Sequence, residues 1–265
     1  MEKTVISNHN HGFFSNCSVR LDCIINYYNN NNFELPVKVD SSQSFIKYKE
    51  PGTDADVTFE YFEHYENVDV NISNKGKVDY SENYQYDNYR TLDYFDIVPF
   101  VKKYFTPSIQ IKQIINDIES KYSIEFYENI CCLFYRGNDK ITESPLCSYQ
   151  DIVHRANQLL VENQNIKFLI QSDETEFIQT MKAEFPLNHI CFTDEIRHIN
   201  KQQTSVDATF SDKNYIFSKY YLAITIIMSK CKYVICGSSG NCSIWIALYR
   251  ENADNIIQYM KGGWE

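Results

Sequence analysis

Glycine is scarce, with 8 residues in a chain of 265, and proline and tryptophan are scarcer still at 6 and 2. No GxGxxG run occurs, which argues against a dinucleotide-binding fingerprint and leaves any phosphate to be held by other means. Cationic side chains are also in deficit: 25 Lys and Arg stand against 35 Asp and Glu, a formal net charge of -10. An acidic surface repels phosphate backbones, and no local basic patch offsets it, so nucleic acid is excluded as a partner. Long apolar runs are missing too. Tyr220 to Met228 is the longest apolar-leaning stretch, far too short to span a bilayer. The opening MEKTVISNHNHGFF is polar, without the basic-then-apolar order of a secretory leader. The 9 cysteines are odd in number, Cys131 and Cys132 are adjacent, and no CxxC is present. A reduced, cytoplasmic protein is therefore expected rather than a disulfide scaffold or zinc ribbon. His9 and His11 have no Cys partners at ligand spacing, and no metal is expected.

What is there is an ordinary globular composition, 43% hydrophobic, enough for a core and long enough for two lobes. Gly12, Gly137, Gly237 and Gly240 fall where an apolar strand gives way to a polar loop, as turns or close approaches to a ligand require. The first segment reads as strand (TVIS), loop (NHNHGFFSN), helix (SVRLDCIINYY) and strand (FELPVKV), a βαβ start. From Ser41 to Asp96 the chain is acidic and rich in Asn and Tyr, and FIKY and VTFEYF are its candidate strands. Its tyrosines could stack on sugars, or simply half-bury in a loop-rich surface. Thr106, as an N-cap, and Pro107 are expected to open a helix whose Ile111, Ile114, Ile115 and Ile118 make an apolar stripe.

Beyond it the rhythm is clearer. NICCLFYR, IKFLIQS, HICFT and KYVICG read as strands. Helices follow from Ser148, where Asp151 gives a capping-box start, from about Asp173 to Met181, from Tyr215 to Ser229, and over CSIWIALYR. This alternation predicts a parallel, doubly wound sheet that binds ligands beyond the carboxyl ends of its strands. The expected division is residues 1–105 as a first Rossmann-like lobe and 106–265 as a second.

Two loops at that sheet edge suit an anion. Arg136-Gly137-Asn138-Asp139-Lys140 offers a guanidinium that can grip a diphosphate bidentately, although a strand-end arginine can equally pair with Asp139 or Asp173. Gly237-Ser238-Ser239-Gly240-Asn241-Cys242-Ser243 runs straight into a helix, whose N–H groups and dipole favour negative charge; a plain Ser/Asn N-cap is the alternative.

Four segments resemble the α1,6-, α1,2- and protein O-fucosyltransferases, which share a GT-B fold of two Rossmann-like lobes. YRGNDK is similar to their HxRxxDK or HxRRGD segment, QSDETEFIQTMKAEFP to the strand ending in Ser/Thr-Asp-Asp, and CKYVICGSSGNCSIWIALYR to the FSxxS or SxFSWWxA segment. GFFSNC resembles the GRFGNQ and GGLGNQ loops near the start of those enzymes. The resemblance covers the second lobe and the first helix region, but little of residues 41–100.

It implies a metal-independent transferase that moves a sugar, GDP-fucose being the favoured donor, to a glycan or protein hydroxyl. The first lobe would meet the acceptor and the second the donor. Arg136 would contact the β-phosphate; Gly137, Asp173, Ser238, Ser239, Gly240, Asn241 and Ser243 would surround the donor, and Asn16 would reach it from the first lobe. Asp139, Lys140 and Glu143 resemble a DK…E arrangement in which the glutamate is the base and the lysine its partner, with a spacing one residue shorter here. Two departures touch the guanosine part: Phe134 stands where the family's motif opens with histidine, and Ile224 and Thr225 stand near an acidic position. Another nucleotide sugar, or a catalytically degenerate nucleotide- or glycan-binding relative, are the alternatives.

Overall fold

A computed structural model describes residues 3–72 and 76–265. Its organising element is the apolar run Ile130–Tyr135, every residue of which is buried. Six consecutive apolar side chains can be buried on both faces only in the middle of a covered sheet, and this strand is central in a six-stranded one. In chain order the elements are β1 (Thr4–Ile6), α1 (Phe13–Asn30), β2 (Lys38–Asp40), α2 (Thr58–Tyr61), α3 (Tyr94–Phe105), α4 (Ile109–Lys121), β3 (Ile130–Tyr135), α5 (Tyr149–Glu162), β4 (Lys167–Ser172), α6 (Thr175–Glu184), β5 (His189–Cys191), α7 (Val206–Thr209), α8 (Asn214–Lys230), β6 (Tyr233–Cys236), α9 (Asn241–Arg250), β7 (Ile256–Met260) and β8 (Gly263–Trp264).

The large sheet runs β5-β4-β3-β6-β7-β8, parallel except for the β7–β8 pair. The chain therefore leaves β3 outward through β4 and β5, then crosses back along α8 to lay β6 on the other side of β3. Between β3 and β6 the order reverses, and at such a point the loops diverge and open a crevice. Ser148 and Asp151 form the expected capping box at the start of α5. β7 and β8 extend the sheet beyond the four strands that periodicity reveals. Among the described residues no helix is long and apolar enough to cross a membrane.

The first lobe is built more sparingly. β1 and β2 pair in parallel across α1, a βαβ unit whose strands have three residues each. The GFFSN segment, expected as loop, is already helix from Phe13, with Gly12 as its N-cap. FIKY and VTFEYF, expected as strands, form a 3₁₀ turn over Ile46–Tyr48 and the short α2. Turns satisfy their own backbone locally, and the pairing of these segments is limited to a single antiparallel bridge between Phe62 and Pro107, whereas Tyr48, Val57, Tyr61 and Phe62 still reach the core.

Tyr65, Tyr80 and Tyr89 are also buried, several with hydroxyls tied down: Tyr61 to Ser218 at 2.7 Å and Tyr89 to the Gly240 carbonyl at 3.4 Å. Most tyrosines of this segment are thus aromatic core rather than a sugar platform. The helix expected from Thr106 starts at Ile109, capped by Ser108, and α3, capped by Asp93, precedes it. Trp245 of α9, fully buried, closes the seam between the lobes by donating to Ser18 Oγ of α1 at 2.9 Å.

Candidate functional site

Arg136 follows β3 directly and the 237–240 turn follows β6, so the switch point sets them side by side. The Arg136 backbone N–H donates to Ser238 Oγ at 3.2 Å, tying one loop to the other. The guanidinium is held on three sides: Nε donates to Asp173 at 2.9 Å, one terminal nitrogen to Asp139 at 3.0 Å and the other to the Tyr221 hydroxyl at 3.0 Å. The strand-end pairing considered from the sequence does occur. A cleft of about 440 Å³ nevertheless opens on this group, lined by the loops after β3 and β6, the His9–Ser15 segment and the 3₁₀ turn Glu82–Tyr86.

The two carboxylates differ. Asp173 has 4% of its side chain exposed and also accepts from the Gly137 N–H at 3.1 Å; burial raises its pKa against the pull of Arg136 and that N–H. Asp139 is 29% exposed, and although burial opposes its charge, Arg136 and Lys140 outweigh that and hold its pKa low. Asp173 is built in, whereas Asp139 is the more exposed partner of the guanidinium. Lys140 pairs with Glu143, which also accepts from the Tyr86 hydroxyl at 3.4 Å. These side chains cancel to a net negative charge.

The counterweight is backbone. Gly240 caps α9 without a side-chain bond, and the N–H groups of Asn241, Cys242 and Ser243 have no backbone or capping partner among the described residues. Free N–H groups at the start of a ten-residue helix favour an anion without adding a formal charge. The Ser243 hydroxyl lies within donating distance of the Ser238 carbonyl at 3.2 Å and of the Gly240 carbonyl at 3.0 Å, tying the turn to the start of α9. Ser239 is anchored to the Tyr259 carbonyl, and the Asn241 amide donates to Gln85 at 2.8 Å while its own oxygen is buried without a partner.

Of the residues singled out in the sequence, Arg136, Asp139, Lys140, Glu143, Ser238, Ser239, Gly240, Asn241 and Ser243 all line this cleft. Asp173 lies behind Arg136. Gly137 faces protein rather than cleft: a Cβ there would overlap the Glu174 carboxylate and lie 2.6 Å from the Tyr135 ring. Asn16 is fully buried off the lining, accepting from the His11 N–H at 3.0 Å, so it shapes the loop that carries His9 and His11. Tyr86, one of the tyrosines read from the sequence as able to stack on a sugar, also lines the cleft, and residues missed from the sequence include Tyr221 and Gln85. Tyr221 gives no local sign, since its value comes from α8 crossing the end of β3.

No family model matches this sequence, and no curated protein matches it. Among solved structures, the fucosyltransferase NodZ from Bradyrhizobium superposes with a TM-score of 0.58 over 100% of this chain and 98% of that one, at 10% identity. NodZ alpha-1,6-fucosyltransferase soaked with GDP-fucose gives 0.57, and the form co-crystallised with GDP gives 0.56, both at 10% identity and the same coverage. Across its whole length, the chain therefore has the GT-B fold of these fucosyltransferases.

Proposed function

We propose that the cleft binds the diphosphate of a nucleotide sugar, GDP-fucose being favoured, and transfers the sugar to a glycan or protein hydroxyl without a metal. The observation that carries this is the bond from the Arg136 backbone to Ser238, which keeps the guanidinium beside the free N–H groups of α9. In this reading residues 1–105 meet the acceptor and 106–265 the donor.

A donor phosphate takes the place of Asp139 on the outer guanidinium nitrogen, while Asp173 and Tyr221 keep the plane of the group fixed. As the sugar bond breaks, charge accumulates on the leaving diphosphate. A preorganised guanidinium and helix N-terminus stabilise it there without reorganisation. Glu143, released from Lys140, accepts the proton of the attacking hydroxyl. Ser239 and Asn241 line the phosphates, and Asn16 holds the His9–Phe14 loop against them. The nine unpaired cysteines support a reducing, cytoplasmic setting.

The test is thermal shift: GDP and GDP-fucose raise the melting temperature of the native chain but not of Arg136→Ala. A native chain unmoved by any nucleoside diphosphate or nucleotide sugar would overturn the reading. One observation favours a second reading, a binder without turnover: Arg136 and Lys140 are both already matched by carboxylates. Nucleotide binding with neither donor hydrolysis nor transfer would select it.

A further inference from the structure

The two walls of the cleft differ in charge. On the second-lobe wall each cation is matched, Arg136 by Asp139 and Asp173 and Lys140 by Glu143. On the first-lobe wall stand His9, His11 and Lys47. Among the described residues Lys47 has no ion pair and no side-chain hydrogen bond, and the His11 ring has none either. An unmatched cation inside a cleft, in a chain of formal net charge -10, calls for an anion from outside.

These side chains form one built unit. The His9 and His11 ring centroids lie 4.5 Å apart. Between them the Asn10 side chain donates to the Gln43 carbonyl at 2.7 Å and accepts from the Ile46 N–H at 3.1 Å. That ties the 3₁₀ turn carrying Lys47 to the loop carrying the imidazoles. The His9 N–H donates to Ser44 Oγ at 3.1 Å, and Ser15 Oγ fixes the His9 ring at Nε2, 2.9 Å away.

Two carboxylates share this side of the cleft. Asp207 is occupied by the Tyr48 hydroxyl at 2.6 Å and by Arg197 at 2.9 Å, which leaves Glu82 to face the pair. Tyr86, on the same turn as Glu82, spends its hydroxyl on Glu143. Burial and then His11 lower the pKa of His9, while Glu82 pulls it up. Lys47 and Glu82 therefore balance, and two imidazoles can add positive charge when an anion enters.

We infer that the acceptor is an acidic sugar, its carboxylate or sulfate held by Lys47, His9 and His11 while its attacking hydroxyl faces the donor edge. The inference rests on the proposed transfer at Arg136. The diphosphate has its own seat there, on the opposite lobe, and repels a second anion in the same cleft. A wall that takes up protons as the acceptor enters lets both bind.

The experiment measures dissociation constants of a chondroitin sulfate tetrasaccharide for the chain saturated with GDP. The sugar is supplied intact, desulfated, carboxyl-esterified, and with both changes, which makes it neutral. The intact form binds about tenfold tighter than the neutral one near pH 6, and the margin narrows towards about pH 8 as the imidazoles lose their protons. The two singly changed forms tell which acid the wall takes. Lys47→Met narrows the margin at every pH and leaves the GDP affinity unchanged. His9→Gln combined with His11→Gln leaves a margin that no longer varies with pH, and melting curves report that both proteins are folded. Equal binding of acidic and neutral forms, or a margin that neither variant alters, would overturn the inference while GDP binding stands. A native chain that binds no GDP removes the reading beneath it as well.

Discussion

The two halves of the molecule bury arginine in opposite ways. In the first lobe Arg20 is 1% exposed, has no carboxylate within ion-pair distance among the described residues, and is held by Ser41 Oγ, the Tyr104 carbonyl and the face of Phe105 at 5.0 Å. In the second, Arg136 is 19% exposed at a sheet edge, gripped by two carboxylates and a hydroxyl, with a cleft alongside. A guanidinium packed among rings and neutral oxygens is a structural strut. One aimed by charges at a cavity is poised to exchange a partner. The same contrast runs through the lobes: the first fills its core largely with aromatic rings, the second with aliphatic strands and helices whose loops carry polar groups.

Removing the two arginines gives the largest expected effects and separates the roles. Arg136→Ala leaves Asp173 buried without its counter-charge, costing about 3–5 kcal/mol of stability, and abolishes nucleotide-induced stabilisation at any temperature where the variant is folded. Arg20→Ala costs about 2–4 kcal/mol through a cavity and two lost hydrogen bonds, yet leaves the nucleotide dissociation constant unchanged. Urea unfolding with and without GDP measures both. A binding defect in Arg20→Ala as deep as that in Arg136→Ala would erase the distinction.

Glycine sharpens the comparison at smaller scale. Gly137→Ala drives a methyl into Glu174 and the Tyr135 ring and costs about 1–3 kcal/mol. Gly12→Ala, at φ -64° with nothing within 4 Å of the added carbon, stays within about 0.5 kcal/mol. Equal losses in the two variants would show that the loop after β3 yields as easily as the entry to α1.

The smallest effect lies in the first lobe. Burial, then the nearby Glu82, raises the Asp22 carboxyl from 3.8 to about 6. Because the folded state holds that proton more tightly than the unfolded one, stability falls as pH rises from 3.8 through about 6. Asp22→Asn flattens that slope and raises the melting temperature at pH 7, as a series of melts from pH 4 to 7 would read. An unchanged slope would mean that Asp22 is ionised in the fold well below pH 6.

The sequence alone determined the second lobe closely, because its signals are local. A six-residue apolar run bounded by turn residues reads as a covered strand, Ser148 and Asp151 read as a cap, and a strand–helix alternation of this length predicts a parallel sheet covered by helices. The anion-friendly loops were legible for the same reason: each is a short stretch at a strand end, and topology alone sets them on one edge. The first lobe resisted because its order is not periodic. The Tyr61 hydroxyl, for example, is tied to Ser218, 157 positions away, and no window of sequence contains that contact.

Only the tertiary structure decided that Gly137 makes room for Glu174, that Asn16 serves its loop from within the core, and that Tyr221, Asp173 and the more exposed Asp139 together hold Arg136. Local propensity and pattern follow from neighbours along the chain, whereas which buried polar group lacks a partner depends on every element packed around it.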